Sequence, residues 1–449
     1  MLKESFIRSS LAAGVVLFWS IIVFTSSVRA NGIYGDGTGA RAMAMGGTDV
    51  AWAQSPLEAM GDNPAGLGFL TRREFDFGGF VVVPDGHFSK PAAASSSDLK
   101  SPAGGLPELA FGLPLGQSSV SVGLSFIPEA TLLAEWNYLD PTNSKGISYG
   151  NQPEQSEIIL LRSALGAGIA LTPQLSLGAS IGAVYNENRL EMPYVFQNLA
   201  PAGDATYNGD KTLLNLHTSG FGWNVQAGLI YRPGPGLQFG LAYKSRYTVH
   251  STGGASGDPY AQFGAPPGPL AFHYDAEVDN TFPQQVSLGG SWKFHPQWRV
   301  AVQVDWIDWS DAFRTLPVIL KNGGNATVNS VLGSSFQDHI PLNWQDEFVY
   351  RAGLEYAVTK NLALRAGYSF GRNPVPDATL TPVTAAILEQ TVTAGVGYQW
   401  HRVVFDLAYQ YDLPVTRSVG ASSLLAGEYA NSTTTVSAHW IGLTTRFIF

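Results

Sequence analysis

The feature that most constrains the fold is an alternation of apolar and polar residues that begins near residue 72. The segment 298–306 carries Trp or Val at every second position, with Arg, Ala, Gln and Asp between them. A helix would scatter these residues around its circumference, whereas a strand sorts them onto two faces. The same alternation recurs in three further segments: 348–356, 362–370 and 403–412. The pattern predicts a chain built mainly of β-strands.

Segment length and aromatic placement indicate that these strands cross a membrane. Many segments run for about ten residues or more, as a tilted membrane-spanning strand requires. Trp and Tyr prefer the boundary between membrane and water. They lie near segment ends in four places: Trp223 and Tyr231, Trp298 and Trp306, Trp344 and Tyr356, and Tyr398 and Trp400. We therefore expect a transmembrane β-barrel with two aromatic girdles rather than a sandwich with a wet outer face.

The first thirty residues have the organisation of a secretory signal. Lys3 and Arg8 form a positive region, Leu11–Phe24 is an apolar core, and Val28–Ala30 offers small residues at a cleavage site. The alternative is a membrane anchor, but the apolar run is shorter than the roughly 20 residues of a helical span. We expect residues 1–30 to be a signal peptide and the mature chain to be exported.

Composition excludes several classes of function. Cysteine is absent, so disulfides, thiolate metal sites and thiol catalysis are impossible. The formal net charge of −9 argues against nucleic-acid binding, which needs a basic surface. The eight histidines show no zinc-site spacing, and nothing pairs a serine with a histidine for catalysis. We expect no metal, no cofactor, no catalytic residues and no enzymatic activity.

Connections of alternating length set the strand number. Short connections rich in Pro, Gly and Asn are expected at 116–117, 172–174, 233–236, 295–297, 359–361 and 401–402. Long loops are expected near 84–105, 129–155, 191–212, 252–270, 311–343, 372–386 and 413–432. This arrangement predicts about 14 strands, an even number as in bacterial barrels, with the short turns in the periplasm.

Residues 31–71 do not alternate and are predicted to form a separate unit. Small residues dominate there, with helix-capable stretches near 40–46 and 55–60. Because Gly and Ala allow close backbone packing, a segment of this size can fit inside a barrel as a plug. We therefore divide the mature chain into a plug at 31–71 and a barrel at 72–449.

Two motifs make the comparison with known proteins specific. The run Gly37–Gly47 reads Gly-Thr-Gly-Ala-Arg-Ala-Met-Ala-Met-Gly-Gly, and it is followed by the sequence Asn-Pro-Ala-Gly at Asn63–Gly66. Together they resemble the N-terminal hatch of the FadL/TodX family of outer-membrane transporters. Further stretches resemble later strands of that family: Phe282–Ser310, Trp344–Tyr356, Leu364–Tyr368 and Asn373–Asp377. The resemblance covers essentially the whole mature chain.

This resemblance implies a 14-stranded barrel closed by the hatch, with a defined route for a hydrophobic ligand. The ligand enters a groove between long outer loops and then a pocket beside the hatch. It leaves sideways into the membrane through a hole at a kink in the third strand. The implied function is passive uptake of a long-chain fatty acid or an aromatic hydrocarbon, and the sequence leaves the identity of the ligand open.

Candidate ligand-binding residues lie in two apolar outer loops. The first loop contributes Met192, Phe196 and Leu199, and the second contributes Tyr260 and Phe263. Exposed loops do not need such apolar content, and apolar surface marks binding sites. The alternative interpretation is that these residues pack on each other and cap the barrel.

The remaining candidates are inward cations, the hatch motif and one glycine. Inward-facing cations are expected at Arg162, Lys244, Arg246, Arg299, Arg351, Arg365 and Arg446. Of these, Lys244 and Arg246 are favoured to meet a ligand carboxylate; otherwise they belong to a solvated network that stabilises the barrel. The hatch residues are Asn63, Pro64, Ala65 and Gly66, which could also form a simple turn. Gly123, in the third strand, is expected at the lateral opening, unless it serves ordinary barrel packing.

Three further functions remain open at this stage. The main alternative is a general outer-membrane porin, although an N-terminal plug argues against it. The others are a barrel enzyme and a surface adhesin. We expect the partners to be a hydrophobic ligand, outer-membrane lipid and the barrel-assembly machinery, which reads a terminal aromatic such as Phe449. The protein is expected to be a monomer in the outer membrane of a Gram-negative bacterium.

Overall fold

The computed structural model describes residues 32–116, 118–197, 207–260, 266–422 and 424–449. The strands in these ranges form one antiparallel sheet. They are β1 (Glu74–Lys90), β2 (Ser95–Asp98), β3 (Gly104–Pro114), β4 (Val120–Leu139), β5 (Asn151–Ala170), β6 (Leu175–Val195), β7 (Lys211–Gly234), β8 (Leu237–Lys244), β9 (Tyr247–Asp258), β10 (Phe272–Phe282), β11 (Gln285–His295), β12 (Trp298–Ile307), β13 (Thr315–Lys321), β14 (Phe336–Pro341), β15 (Glu347–Ala357), β16 (Leu362–Gly371), β17 (Gln390–Trp400), β18 (Val403–Ser418) and β19 (Thr433–Ile448). The predicted signal peptide lies outside the described residues.

The sheet closes into a barrel of 14 crossings. Five crossings are each made of two consecutive strands, namely β2 with β3, β8 with β9, β10 with β11, β12 with β13 and β14 with β15. The first strand pairs with the last from Glu74–Ile448 to Ser89–Thr433, which leaves no open edge there. The predicted strand number and antiparallel barrel are therefore confirmed. Closure satisfies backbone polar groups that lipid cannot.

The predicted faces of the strands are also confirmed. Apolar side chains such as Val302, Phe348 and Leu364 are exposed on the outside of the wall, where lipid would cover them. The alternate positions, among them Gln303 and Arg351, point inward and are buried. Burial of polar groups inside and exposure of apolar groups outside is the reverse of a soluble protein.

The two ends of the barrel differ in their connections. We call the end with the short connections the turn end and the opposite end the loop end. The short connections lie where the sequence predicted them, but several loops are shorter than expected. The loop predicted at 129–155 is strand as far as Leu139 and again from Asn151. In β4, residues 127–134 are buried at every position, so no alternation marked them as strand.

Helices are few and short. Two lie in the N-terminal region, α1 (Ala40–Ala44) and α2 (Pro56–Gly61), and two lie in the loop-end connections, α3 (Trp309–Ala312) and α4 (Ala326–Leu332). Short 3₁₀ helices are Pro64–Phe69, Pro91–Ala93, Asp377–Thr379, Pro382–Thr384 and Leu424–Gly427. Within the described part of the chain, no helix has the length and apolar character needed to cross a membrane.

Residues 32–71, which we call the inner segment, lie within the bore near the turn end. Almost all of them are buried, and α1 and α2 pack against the inner face of the wall. A ring of inward-facing glycines receives them, because a Cβ at each position would collide with or press against the inner segment. This glycine belt consists of Gly112, Gly123, Gly166, Gly168, Gly178, Gly228, Gly240, Gly289, Gly353, Gly367, Gly395 and Gly442.

Candidate functional site

The barrel wall changes its pairing between the second and third crossings. The ladder between β3 and β4 runs from Pro114–Ser121 to Leu109–Phe126. Beyond that point β3 continues to Gly104 but keeps its register with β1 on the other side. The wall therefore has a local break in its β3–β4 ladder, directly beyond Phe126 on β4.

A β-bulge lies at this break. Pro128 and Ala130 of β4 pair with the consecutive residues Leu161 and Leu160 of β5, so Glu129 is the extra residue. A bulge bends the strand and re-aims the side chain of the extra residue. Here the Glu129 side chain is directed into the barrel and is almost completely buried.

The start of the inner segment pairs with the part of β4 that is no longer paired with β3. Tyr34 forms an isolated antiparallel bridge with Ala130, and the backbone N–H of Thr131 donates to the Ile33 carbonyl oxygen at 3.3 Å. The Tyr34 ring packs against Trp309, with ring centroids 5.2 Å apart. The break in the wall is thus covered from inside by a short piece of backbone rather than by a neighbouring strand.

A cavity lies between this covered break and the inner segment. Its volume is about 60 Å³, well below the roughly 300–1,000 Å³ typical of ligand pockets. It is lined by the inner segment, by β3 and β4 beside the break, and by further residues of the wall. The charged residues of the lining are Asp36 and Asp62 of the inner segment and Glu108, Glu129, Arg162, Lys244, Asp305 and Arg351 of the wall. We call it the inner cavity. A hydrocarbon of useful size cannot occupy it without a rearrangement.

Glu129 is the centre of an ion cluster at the edge of this cavity. Its carboxylate lies 3.3 Å from the Lys244 ammonium and 3.6 Å from the Arg162 guanidinium. Tyr247 donates its hydroxyl to the same carboxylate at 3.1 Å, and the Asn224 side-chain amide donates at 3.3 Å. Lys244 therefore faces the bore, as the sequence predicted, but an internal carboxylate already neutralises it.

A second ion cluster ties the inner segment to the wall. The Arg351 guanidinium pairs with Asp36 of the inner segment and, at 2.6 Å, with Asp305 of β12. It also donates to the Gly46 carbonyl oxygen at 3.3 Å. The side chains of all three charged residues are almost completely buried. One arginine thus joins two stretches of the inner segment to two strands.

Aromatic side chains cover the loop-end side of Tyr34. Trp309 lies 5.2 Å from Phe313 and 5.0 Å from Trp344, and Phe313 lies 4.7 Å from Trp344, measured between ring centroids. The prediction that Trp344 belongs to an outer girdle is wrong, because its side chain is buried inside the barrel. Trp344 precedes β15, so the alternation of that strand does not fix its direction. Trp223 and Trp400 do lie on the outer face.

An apolar pocket, separate from the inner cavity, lies at the loop end. Its volume is about 290 Å³. It is lined by Phe196, Tyr207, Asp210, Pro259, Leu270, Phe272, Thr327, Val328, Val331 and Leu332. We call it the outer pocket. Phe196 is one of the predicted binding residues, and it packs edge-on against Tyr194 and Phe336.

Comparison with known proteins supplies the family. A family model described as outer membrane protein transport protein (OMPP1/FadL/TodX) matches residues 21–449. The chain belongs to the FadL/TodX family. A long-chain fatty acid transport protein of Escherichia coli O6:H1 is 24% identical over 405 residues, with 83% of each chain covered.

Solved structures agree with this assignment at the level of the fold. The Pseudomonas putida toluene transporter TodX superposes with a TM-score of 0.76 and 22% identity, covering 93% of this chain and 100% of that one. The Ralstonia pickettii toluene transporter TbuX gives a TM-score of 0.70 and 22% identity, covering 92% and 99%. As a FadL/TodX-family barrel, the protein is an outer-membrane transport protein of the Gram-negative type and not an enzyme.

The other predicted loop residues of this FadL-family barrel are placed as follows. Met192 is buried beside the outer pocket, where it lines a neighbouring depression with Leu213 and Phe272. Tyr260 packs against Tyr149, with ring centroids 4.9 Å apart. Leu199 and Phe263 lie outside the described residues.

The outer pocket includes a helix that sequence reasoning missed. Residues 311–343 were expected to be a plain long loop, but α4 supplies one side of the pocket with Val328, Val331 and Leu332. A local signal was present, because the Asn325 side chain caps α4 by accepting from the Thr327 and Val328 backbone N–H groups. Asparagine before a short run of helix formers could have revealed it.

Arg246 does not face the bore, so the prediction of its direction is wrong. The stretch from Lys244 to His250 pairs with residues 226–221 of β7, which leaves one extra residue on its side. One extra residue reverses the inside–outside alternation beyond it. Arg246 is consequently exposed on the outer surface, where it pairs with Asp311.

The hatch motif and Gly123 both lie at the interface between the inner segment and the wall. The Asn63 side-chain amide donates to the Val50 carbonyl oxygen at 2.6 Å and to the Leu229 carbonyl oxygen of β7 at 3.2 Å. Asn63 also caps the 3₁₀ helix that contains Pro64, Ala65 and Gly66. Gly123 is paired with Gly112 and Gly166. It lies in the ladder before the break, as a member of the glycine belt.

Proposed function

We propose that this protein is a passive channel that takes up hydrophobic small molecules across the outer membrane. The inner segment acts as the hatch, and the ligand leaves sideways through the break beside β4. Membership of the FadL/TodX family supports the transport of hydrophobic compounds. The observation that carries the lateral route is the break in the β3–β4 ladder, where the backbone around Tyr34 bridges to β4.

The outer pocket is suited to the first step of this route. Its lining is apolar and reaches the surface at the loop end, where a ligand arrives from outside. Burial of apolar surface there supplies the driving force for capture. The predicted residues Phe196 and Met192 belong to this capture region, together with α4.

A sideways exit explains why an apolar ligand would use this barrel. The inner segment fills the bore near the turn end, so a straight path to the periplasm would require its removal. At the break, the backbone of Ile33 and Tyr34 is joined to β4 through one bridge pair and one hydrogen bond. Displacing that short piece would open the inner cavity toward the lipid, and the ligand would never need to enter water.

A reversible cross-link tests the gate. The native chain has no cysteine, and residues facing each other in an antiparallel bridge lie about 4.5–5.5 Å apart at Cα, within disulfide range. The double variant Tyr34→Cys with Ala130→Cys should form a disulfide across the break. We expect oxidation to reduce uptake of a labelled long-chain fatty acid or aromatic hydrocarbon to the level of a knockout, and reduction to restore it.

A matched cross-link within the intact wall provides the control. Ala352 and Tyr368 face each other on β15 and β16 and point outward. The double variant Ala352→Cys with Tyr368→Cys should transport normally in both redox states. Undiminished uptake with the locked Tyr34–Ala130 pair would overturn the lateral route. Large, steady ion conductance in a planar bilayer would favour a general porin instead.

A further inference from the structure

We propose that this channel selects uncharged hydrophobic molecules over carboxylates of the same size, and that Glu129 is the residue that sets the selectivity. The inference rests on the proposed transport function and specifies its ligand class. It follows from the charges that line the inner cavity and the outer pocket.

The lining of the inner cavity offers no spare positive charge. Its described ionisable groups include five carboxylates and three cations, namely Asp36, Asp62, Glu108, Glu129 and Asp305 against Arg162, Lys244 and Arg351. Each of these cations lies within 4 Å of a protein carboxylate. A ligand carboxylate entering the cavity would therefore join an excess of negative charge.

Glu129 is the decisive member of this set because its carboxylate pairs with two cations at the wall break. It lies 3.3 Å from Lys244 and 3.6 Å from Arg162, and it accepts further hydrogen bonds from Tyr247 and Asn224. A carboxylate ligand could reach Lys244 or Arg162 only by displacing a buried carboxylate that is already well bonded. A neutral ligand makes no such demand.

The outer pocket shows the same bias independently. The described residues that line it include no cation, and their one ionisable carboxylate, Asp210, pairs with Lys145 at 2.7 Å. Transfer of an ionised carboxylate from water into an apolar site without a partner is strongly unfavourable. An uncharged ligand of the same chain length loses only its water contacts, which favours burial.

Two other inward cations, Arg365 and Arg299, do not supply the missing partner. Arg365 is held by Glu355 at 2.8 Å and by Asp406 at 2.6 Å. Arg299 stacks on Trp52 at 4.0 Å and donates to Ser291, at the turn end beyond the inner segment. A ligand leaving through the break beside β4 would not pass it.

A matched ligand pair tests the proposal. We would measure uptake by cells carrying this protein, and binding to the purified protein in detergent, for 1-dodecanol and dodecanoate at pH 8, where the acid is ionised. We expect the alcohol to be preferred by at least about tenfold, because the ionised group finds no partner. Lowering the pH until the acid is protonated should raise dodecanoate toward the alcohol.

The variant Glu129→Gln should largely remove this preference. It releases Lys244 and Arg162 for a ligand while the amide oxygen can still accept from Tyr247. We expect dodecanoate binding to rise by about tenfold or more relative to dodecanol. The control Glu187→Gln removes an outward-facing carboxylate that pairs with Arg189 at 3.0 Å, and it should leave the ratio unchanged.

The outcomes separate this inference from the transport function. If neither compound enters above the level of a knockout, the transport proposal fails. If dodecanol enters but dodecanoate is taken up equally well or better at pH 8, only the selectivity inference is overturned. Should Glu129→Gln fail to assemble, the wild-type preference and its pH dependence still decide the question.

Discussion

The inner cavity and the outer pocket differ in almost every physical property. The outer pocket has a volume of about 290 Å³ and an apolar lining that is open to the loop end. The inner cavity has about 60 Å³, is lined by charged groups, and is covered by Tyr34. The outer pocket can accept a ligand as it stands, whereas the inner cavity needs a conformational change first. Capture and release are therefore expected to depend on different residues.

The largest effect is expected where the inner segment touches the wall. A Cβ at Gly367 would collide with the backbone of Met45 and Gly46. The substitution Gly367→Val should therefore destabilise the folded barrel by about 3 kcal/mol or more, or expel the inner segment. We expect a lower urea midpoint in detergent and higher ion conductance in a planar bilayer.

A glycine on the other face of the wall provides the control for this change. Gly290 points outward, and a Cβ there would meet nothing closer than the Phe239 ring at 3.7 Å. Gly290→Val should leave both the urea midpoint and the conductance close to those of the wild type. Equal effects of the two substitutions would show that strand propensity, rather than contact with the inner segment, determines the result.

The next largest effect is expected at the ion cluster that anchors the inner segment. Arg351→Leu removes the cation that Asp36 and Asp305 share inside the barrel. Removing one partner of a buried ion pair costs about 3–5 kcal/mol. The exposed pair of Arg417 with Asp377 is the control, because Arg417→Leu should cost at most about 1 kcal/mol. Urea unfolding in detergent compares the two variants, and similar losses would contradict the anchoring role.

The wall could be predicted from the sequence because its physics is repetitive. Lipid outside and a polar interior impose a period of two on the apolar residues of a strand. The sequence of segments such as 298–306 and 348–356 therefore predicts both the strand and its two faces. The prediction fails where a segment does not have lipid on one face and the polar interior on the other. Residues 127–134 of β4 are covered on both faces and carry no alternation, and Trp344 lies just outside the strand that follows it.

The candidate site was less predictable because it depends on departures from the regular wall. One extra residue after Lys244 turns Arg246 outward, and one extra residue at Glu129 moves the inward positions of β4 from odd-numbered to even-numbered residues. Neither insertion has a composition signal. The glycine belt did have a composition signal, because the chain is rich in glycine. The position of the inner segment is needed to show which of these glycines contact it.

A smaller effect is expected in the outer pocket. Val331 lies on the pocket side of α4, and Val331→Asn would place an amide against an apolar ligand. Loss of that contact should weaken capture by about fivefold to tenfold. The half-saturation concentration for uptake should rise while the maximal rate stays unchanged. Ser330 is exposed on the same helix, so Ser330→Asn should change neither quantity; a lower maximal rate for Val331→Asn would place the pocket at the gate instead.

The smallest effect is expected at the loop end, where the titratable residue Glu428 anchors the connection between β18 and β19. Burial raises the pKa of Glu428 to about 8 from its ordinary value of 4.5. Glu428 pairs with Lys211, which also pairs with Asp140, and its backbone carbonyl accepts from Lys90. Glu154 lies close enough to add to the negative potential. The connection that contains Glu428 therefore carries a carboxyl group that favours its protonated form.

The sign of the pH dependence follows from this shift. Between pH 4.5 and about 8 the folded carboxyl keeps a proton that the unfolded one has lost, so this contribution to stability is lost as the pH rises through that window. We expect hydrogen exchange in residues 424–432 to accelerate from pH 7 to pH 8 by at most about fivefold beyond Glu428→Gln measured at the same pH values. Because residue 428 of the variant cannot ionise, the comparison at each pH removes the intrinsic pH dependence of amide exchange that both proteins share. Identical profiles for the two proteins would mean that Glu428 does not control this connection.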